Sequence, residues 1–382
     1  MSKKINKKEQ DFNIFKETDD SDIENIQIEL ICKLNEIFYE NSSSPQCFKR
    51  QAKIFNIYVK IIAFPTQKYI LINPYDKRKY YYYSKSQLHN LLETIKTTDL
   101  LESGKIKEAS FIKKWFKEDN KNILEEIAFD PSMKRTCIHN VFYGFRIAKV
   151  VEKTENNELY EQEWLKLTDI LLQLTENNPD GLKYLLNVIA HKMQFPDIKL
   201  PIFILIYGTQ GVGKGYLAKI INSICEYTSE ATDLAEVFEK HSMANYFENK
   251  LFTILHENSF KSSKLYQEKM KNQTTEMKIT VNPKGMPCYE IDNYSLIFAF
   301  SNQITPIVTY IDDRRKVSFA STNKYALLTE DQNKDDEKQK PSLFWRERFD
   351  ALKDKHFIKF IYSKLMSINL NDFDIQQKPQ TL

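Results

Sequence analysis

Four of the chain's eight glycines fall within eight residues: Gly208, Gly211, Gly213 and Gly215. They frame Thr209, Gln210, Val212 and Lys214, and Tyr216 follows directly. The run "GTQGVGKG" has the spacing of a loop that wraps a polyphosphate. Such a loop aims backbone N–H groups at the ligand, and side chains would block that approach. Lys214 supplies a mobile positive charge for the β- and γ-phosphates. A helix starting there adds N–H donors and the positive end of its dipole. The position after the lysine ordinarily carries a hydroxyl for Mg²⁺, but here it is Gly215.

Three further groups follow. Glu257 closes the apolar run "LFTILHE", and an acid there could orient or deprotonate an attacking water, or hold a metal. Asn302 closes "SLIFAFSN" and could hydrogen-bond a γ-phosphate or that water. Arg314 and Arg315, in "DDRRKVSF", offer guanidinium groups able to neutralise charge that develops on a transferring phosphoryl group. Each has a plain alternative: a surface Glu, a turn Asn, a solvated arginine pair.

The elements that must position these residues are legible in outline. "IFILIY" (Ile202 to Tyr207) is a continuous apolar, β-branched run, as expected of a strand buried on both faces of a parallel sheet. The glycine run follows at once, and "YLAKIINSI" after it reads as a helix. "LFTIL" and "SLIFAF" are two more buried strands, so strands alternating with helices predict an α/β layered sheet. "KITV", "NPKG" and "CYEI" read as a hairpin with Lys284 near its tip and Lys278 at its start. Upstream, "ELYEQEWLKLTDILLQLTEN" and "DGLKYLLNVIAHKMQF" are helical, and "SLFWRERFDALKDKHFIKFIYSKL" downstream predicts one or two helices.

The first third reads as a separate mixed α+β domain. "IENIQIELICKLNEIFYE" is an amphipathic helix, "IFNIYVKIIAF" and "KYILI" are strands, and "KYYYY" pairs back as a hairpin. "SQLHNLLETI" and "FIKKWFKEDNKNILEEIAF" are helices. The basic, aromatic "KRKYYYY" could bind DNA through charge and stacking, but half-buried tyrosines on a solvated strand pair account for it better.

Composition narrows the class. Apolar residues are 42% and charged residues 28%, ordinary for a globular chain, and a net charge of +3 does not by itself call for nucleic acid. Five scattered cysteines with no CxxC pair support neither a zinc site nor a disulfide framework, and fit a reducing cytoplasm. No run approaches the roughly 20 apolar residues of a membrane span.

The order of these features resembles a superfamily 3 helicase of the AAA+ class, and more narrowly the helicase part of phage, plasmid and poxvirus-type primase–helicases. The glycine run, the acidic strand end, the "KITVNPKGMPCYEIDN" segment, the "IFAFSN" strand and "DRR" carry it. "DP...HNVFYGF" (Asp130 to Phe145) and "LLNVIAHKMQFP" add to it. The resemblance covers about residues 129–325. It implies an α/β fold: an AAA+ P-loop NTPase core with a largely parallel sheet between helices, preceded by a mixed α+β N-terminal domain and a helical segment. The expected division is a flexible polar tail at 1–20 and an N-terminal domain at 21–128. A helical linker or oligomerisation region at 129–195 and the ATPase domain at 196–328 follow. A charged loop with a helical segment closes the chain at 329–382.

The resemblance also implies roles. Gly208 to Tyr216 bind ATP, with Lys214 on the phosphates. Glu257 activates water, Asn302 senses the γ-phosphate, and Arg314 or Arg315 completes a neighbouring subunit's site. Lys284 and Lys278, on a hairpin facing the ring's channel, touch DNA. The cofactors are ATP and Mg²⁺. The partners are single-stranded DNA, further copies in a hexameric ring, and a separate primase or other replication proteins, since no carboxylate set for priming is present. The expected setting is the host-cell cytoplasm, with no membrane. Two departures are linked: Gly215 replaces the metal-binding hydroxyl, and His256 stands where the family has an acid before Glu257. They leave Mg²⁺ to ATP oxygens and water, with Glu257 as an indirect partner. Two rival readings remain: a P-loop ATPase for DNA packaging or remodelling, and a nucleotide-binding origin or assembly protein with little hydrolysis.

Overall fold

A computed structural model describes residues 20–63, 67–76, 79–118, 123–232, 234–238, 243–256, 264–282, 288–302, 315–321 and 340–379. The expected polar tail up to residue 19 and the charged run at 330–339 lie outside the described residues, as do Glu257, Lys284 and Arg314. The chain divides into two compact units, residues 1–143 and 144–382, so residues 129–143 group with the first.

The first unit opens with α1 (Asp20–Asn41) and α2 (Cys47–Tyr58), followed by β1 (Val59–Ile62), β2 (Lys68–Ile72) and β3 (Tyr80–Tyr83). Then come α3 (Lys85–Leu91), the hairpin β4 (Lys96–Leu100) and β5 (Ile106–Ser110), and α4 (Phe111–Lys117). Short strands β6 (Ile123–Leu124), β7 (Glu126–Ala128) and β8 (Ile138–Asn140) complete it. One sheet runs β3-β2-β1-β6, antiparallel except for the parallel β1–β6 pair.

Two sequence expectations are corrected here. Residues 54–58, read as strand, belong to α2. Cys47, Phe48, Gln51, Phe55 and Tyr58 are buried at helical spacing, and packing of that face outweighs the β-branched run. The long helix expected from Phe111 stops at Lys117, and residues 123–128 form strands instead. The tyrosine run behaves as the plainer reading anticipated. On edge strand β3, Tyr81 and Tyr83 pack partly against the core around Phe55, Phe111 and Trp115, while Tyr82 is 55% exposed. The "DP...HN" segment is a tied turn: Asp130 accepts hydrogen bonds from the Ser132 and Arg135 N–H groups, and Asn140 Nδ2 donates to the Asp130 carbonyl.

The second unit starts with α5 (Asn157–Leu174) and α6 (Pro179–Gln194). Asn178 caps α6 by accepting from the Asp180 N–H, with Pro179 at the first position. Next come β9 (Phe203–Tyr207), α7 (Lys214–Ile224), β10 (Thr228–Ala231), α8 (Leu234–Phe238), α9 (Met243–Phe247) and β11 (Phe252–Leu255). After α10 (Lys264–Thr275), β12 (Lys278–Val281) and β13 (Tyr289–Asp292) form an antiparallel hairpin. The unit ends with β14 (Leu296–Ser301), β15 (Lys316–Ala320), α11 (Lys340–Ala351) and α12 (Lys355–Met366).

Five strands form one wholly parallel sheet in the order β10-β11-β14-β9-β15. Sequence found β9, β11 and β14, whose described residues are almost all buried, and missed the two edges. Edge β10 ("TSEA") is polar, and edge β15 ("KVSFA") alternates buried and half-buried, so neither shows a continuous apolar run. Because β14 and β15 both flank β9, the carboxyl ends of all three strands converge where the glycine run begins.

Candidate functional site

The register places the parts. Tyr207 at the end of β9 pairs with Ser301 on β14 and with Ala320 on β15. The Gly208 N–H donates to the Ser301 carbonyl at 3.1 Å, and the Ser321 N–H donates to the Tyr207 carbonyl at 2.8 Å. The chain therefore leaves the middle of the sheet between Asn302 and Ser321. In open α/β sheets, ligands bind beyond the carboxyl ends of the strands.

The glycine loop then requires its glycines. Gly211 has φ +88° and Gly213 φ +105°, backbone that side-chain-bearing residues rarely adopt. A Cβ on Gly213 would meet Ile170 Cγ2 at 2.8 Å and Trp345 Cη2 at 2.9 Å. Gly213 is the N-cap of α7, and the Tyr216 and Leu217 N–H groups donate to its carbonyl. The N–H groups at the first two helical positions precede the helix's own hydrogen-bond ladder. Lys214 is largely buried, and its ammonium donates to the Gly208 carbonyl at 2.7 Å and to the Thr209 carbonyl at 2.8 Å. Val212 is buried, anchoring the loop, whereas Thr209, Gln210, Gly211 and Gly215 are exposed. A Cβ on Gly215 would meet nothing within 4 Å.

A cleft of about 280 Å³ opens over this loop. Gln210, Gly211, Gly213, Lys214, Gly215 and Tyr216 form its floor. His256 and Asn302 stand on the strand-end side. Trp345 and Phe349 of α11 form the remaining wall. These two were not foreseen, because only the tertiary fold brings α11 to the loop.

His256 has a partner that sequence did not reveal. Its Nε2 lies 2.6 Å from Glu230 Oε2, and Glu230 comes from β10, which pairs with β11. The His256 hydrogen bond, with help from Asn222, holds the Glu230 carboxyl below its usual range despite partial burial. The imidazole is thus oriented from behind by a carboxylate while lining the cleft.

The other predicted residues fall as follows. Asn302 lines the cleft. Arg315 precedes β15, and its carbonyl accepts from the Phe203 N–H at the start of β9. It therefore lies at the opposite end of the sheet from the loop, about 16 Å away at roughly 3.3 Å per strand residue. Lys278 is exposed at the open end of the hairpin, opposite Asp292.

The cleft's described lining contains no carboxylate and no aliphatic hydroxyl, and no cluster of three His, Cys, Asp or Glu side chains suited to a metal occurs among the described residues. Those residues do not form a protein-held Mg²⁺ site. Among the described residues, no helix is long and apolar enough to cross a membrane.

Taken as a class, this is a mixed α/β chain whose second unit carries a five-stranded parallel sheet with a glycine loop at the end of its interior strand β9. A family model described as "Family of unknown function (DUF5906)" matches residues 206–315. No curated protein matches. Among solved structures, the chain is similar to "The apo structure of NrS-1 C terminal region (305-718)", at 20% identity and a TM-score of 0.56, covering 84% of this chain and 71% of that one. It is also similar to "The A form apo structure of NrS-1 C terminal region-CTR(305-718)", at 19% identity and a TM-score of 0.53, covering 83% and 72%. At this identity the likeness is one of fold.

Proposed function

We propose that the chain is a nucleoside-triphosphate-driven DNA helicase or translocase of the superfamily 3, AAA+ type, serving replication of a phage, plasmid or other mobile element. The observation that supports this best is the strand–loop–helix at β9 and α7, where positive-φ glycines surround a lysine ammonium at the head of an interior parallel strand. The similarity in fold to the NrS-1 C-terminal region is compatible with it.

In this reading the loop amides and the α7 N-terminus bind the phosphates of ATP. Lys214 turns from the Gly208 and Thr209 carbonyls to phosphate oxygens. Asn302 reports the γ-phosphate to β14. His256, held through Nε2 by Glu230, lines the cleft beside the loop. Glu257 orients the attacking water. The described residues offer Mg²⁺ no carboxylate or aliphatic hydroxyl in the cleft, so its ligands would have to come from ATP oxygens and water. Arg315 is too far from its own loop to serve it, so it or Arg314 would act on an adjoining copy's cleft, as in a hexameric ring with shared sites. Lys284 and Lys278 contact single-stranded DNA.

One specific observation supports a second reading, a nucleotide-binding assembly or origin protein with little turnover. Gly215 and His256 together remove both usual protein handles on the metal. ATP turnover with and without single-stranded DNA, for the native chain and Lys214→Ala, separates the two. DNA-stimulated turnover lost in Lys214→Ala supports the motor. Tight ATP binding with no turnover supports the second reading. Absence of nucleotide binding in the native chain defeats both.

A further inference from the structure

The wall that α11 lends to the cleft is aromatic, and the phosphate loop does not require that. Trp345 and Phe349 lie one helical turn apart on α11 and both face the cleft. Behind them sits Tyr216 of α7, buried, its ring centroid 6.0 Å from that of Trp345 and 5.6 Å from that of Phe349. Phe349 remains 38% exposed and Trp345 half-buried, so ring surface is left uncovered beside the loop. The Trp345 ring also reaches the loop itself, its Cη2 lying 2.9 Å from where a Gly213 Cβ would be. Phosphate floor and aromatic wall are therefore continuous.

The wall is also tethered to α5. Arg348, between the two aromatic residues, is buried, and its Nη1 lies 3.0 Å from Glu163 Oε2 on α5. The guanidinium stands over the Phe344 ring on the same helix. The pair is a charge contact, since Nη1 makes no hydrogen bond there, and it favours the rotation of α11 that turns Trp345 and Phe349 to the cleft.

We infer that Trp345 and Phe349 form the subsite for the base of the nucleoside triphosphate, which stacks against exposed ring surface while its phosphates occupy the glycine loop. This rests on the phosphate-loop reading above and adds to it the part of the substrate that the loop cannot bind. Stacking recognises the face of a ring rather than its hydrogen-bonding edge, so the subsite accepts adenine and guanine with similar affinity.

The test is direct binding to the full chain, by calorimetry, of ATP, GTP and inorganic tripolyphosphate, the last having phosphates and no base. Trp345→Ala and Phe349→Ala should each weaken ATP and GTP about five- to a hundredfold and leave tripolyphosphate within about twofold. Trp345→Phe, which keeps a ring, should recover most of the affinity. Lys214→Ala should lose all three ligands. Phe349 is partly exposed, so its truncation serves even if Trp345→Ala fails to fold. Native intrinsic fluorescence should change with ATP and not with tripolyphosphate.

Equal loss of ATP and tripolyphosphate in the aromatic variants would overturn the subsite, because the wall would then act only by supporting the loop. Unchanged ATP binding in both variants would overturn it as well. In either case, tripolyphosphate binding that depends on Lys214 would leave the phosphate-loop reading standing.

Discussion

Two glycines two residues apart at the start of α7 should respond to alanine with opposite signs. At Gly213, φ is +105°, and a side chain held there costs about 1–3 kcal/mol in backbone strain alone. Its Cβ would also press on Ile170 at 2.8 Å and on Trp345 at 2.9 Å. Ile170 is fully buried in α5 and meets the new Cβ through a methyl close to its own backbone, so it does not yield easily, and overpacking adds about 1–3 kcal/mol. A loss of about 3 kcal/mol is a moderate expectation, equivalent to a fall in melting temperature of roughly 6–12 °C for a unit of this size. At Gly215 the added methyl meets nothing within 4 Å and the residue is already helical. Gly215→Ala should therefore gain up to about 1 kcal/mol from reduced freedom of the unfolded chain, a rise of about 1–4 °C. Differential scanning calorimetry reads both shifts, and tripolyphosphate binding should be lost in Gly213→Ala and kept in Gly215→Ala. A Gly213→Ala variant that melts within a degree of the native chain, or a Gly215→Ala variant that falls as far, would refute the loop geometry argued above.

Three other outcomes are expected. Gly215→Ser, which places a hydroxyl in open space beside the phosphates, should lower the Mg²⁺ concentration needed for half-maximal ATP binding; an unchanged Mg²⁺ titration would mean position 215 does not face the metal. Glu163→Ala leaves the buried Arg348, among the described residues, with the exposed Glu347 as its one remaining ion-pair partner, and should cost about 3–5 kcal/mol in urea denaturation; a loss under about 1 kcal/mol would show that the pair does not hold α11. Lys192 is fully buried with its ammonium on the Pro196 and Ile198 carbonyls, and burial lowers its pKa from 10.5 to about 7. Between those values the unfolded chain binds a proton that the folded chain has released, so stability should rise with pH from about 7 toward 9, by up to about 1.4 kcal/mol per unit. Burial shifts Lys199 and Lys250 in the same direction. Thermal melts at pH 7 and 9 check this, with Lys192→Met expected to flatten the rise; a falling melting temperature would contradict it.

The sequence displayed what depends on neighbours along the chain. The run at β9, the glycines and the α7 pattern are contiguous, so their geometry follows from local rules. The β12–β13 hairpin was legible for the same reason, through its alternation and turn residues. The edge strands β10 and β15 were not, because a half-covered strand lacks a continuous apolar run. The end of α2 was misread because burial of Phe55 and Tyr58 overrides the strand preference of their neighbours. The Glu230 partner of His256 and the Trp345–Phe349 wall are long-range. Each joins residues far apart in the chain, and only the parallel pairing of β10 with β11, or the docking of α11, brings them together.

That docking bears on how the protein is made. During synthesis the glycine loop emerges well before α11, so a nascent chain would display the loop without its aromatic wall until Trp345 and Phe349 have left the ribosome. On the nucleotide reading proposed above, full-affinity capture would come late, once the second unit has closed, and a transcript cut short ahead of Lys340 would yield a product with the glycine loop but without its aromatic wall.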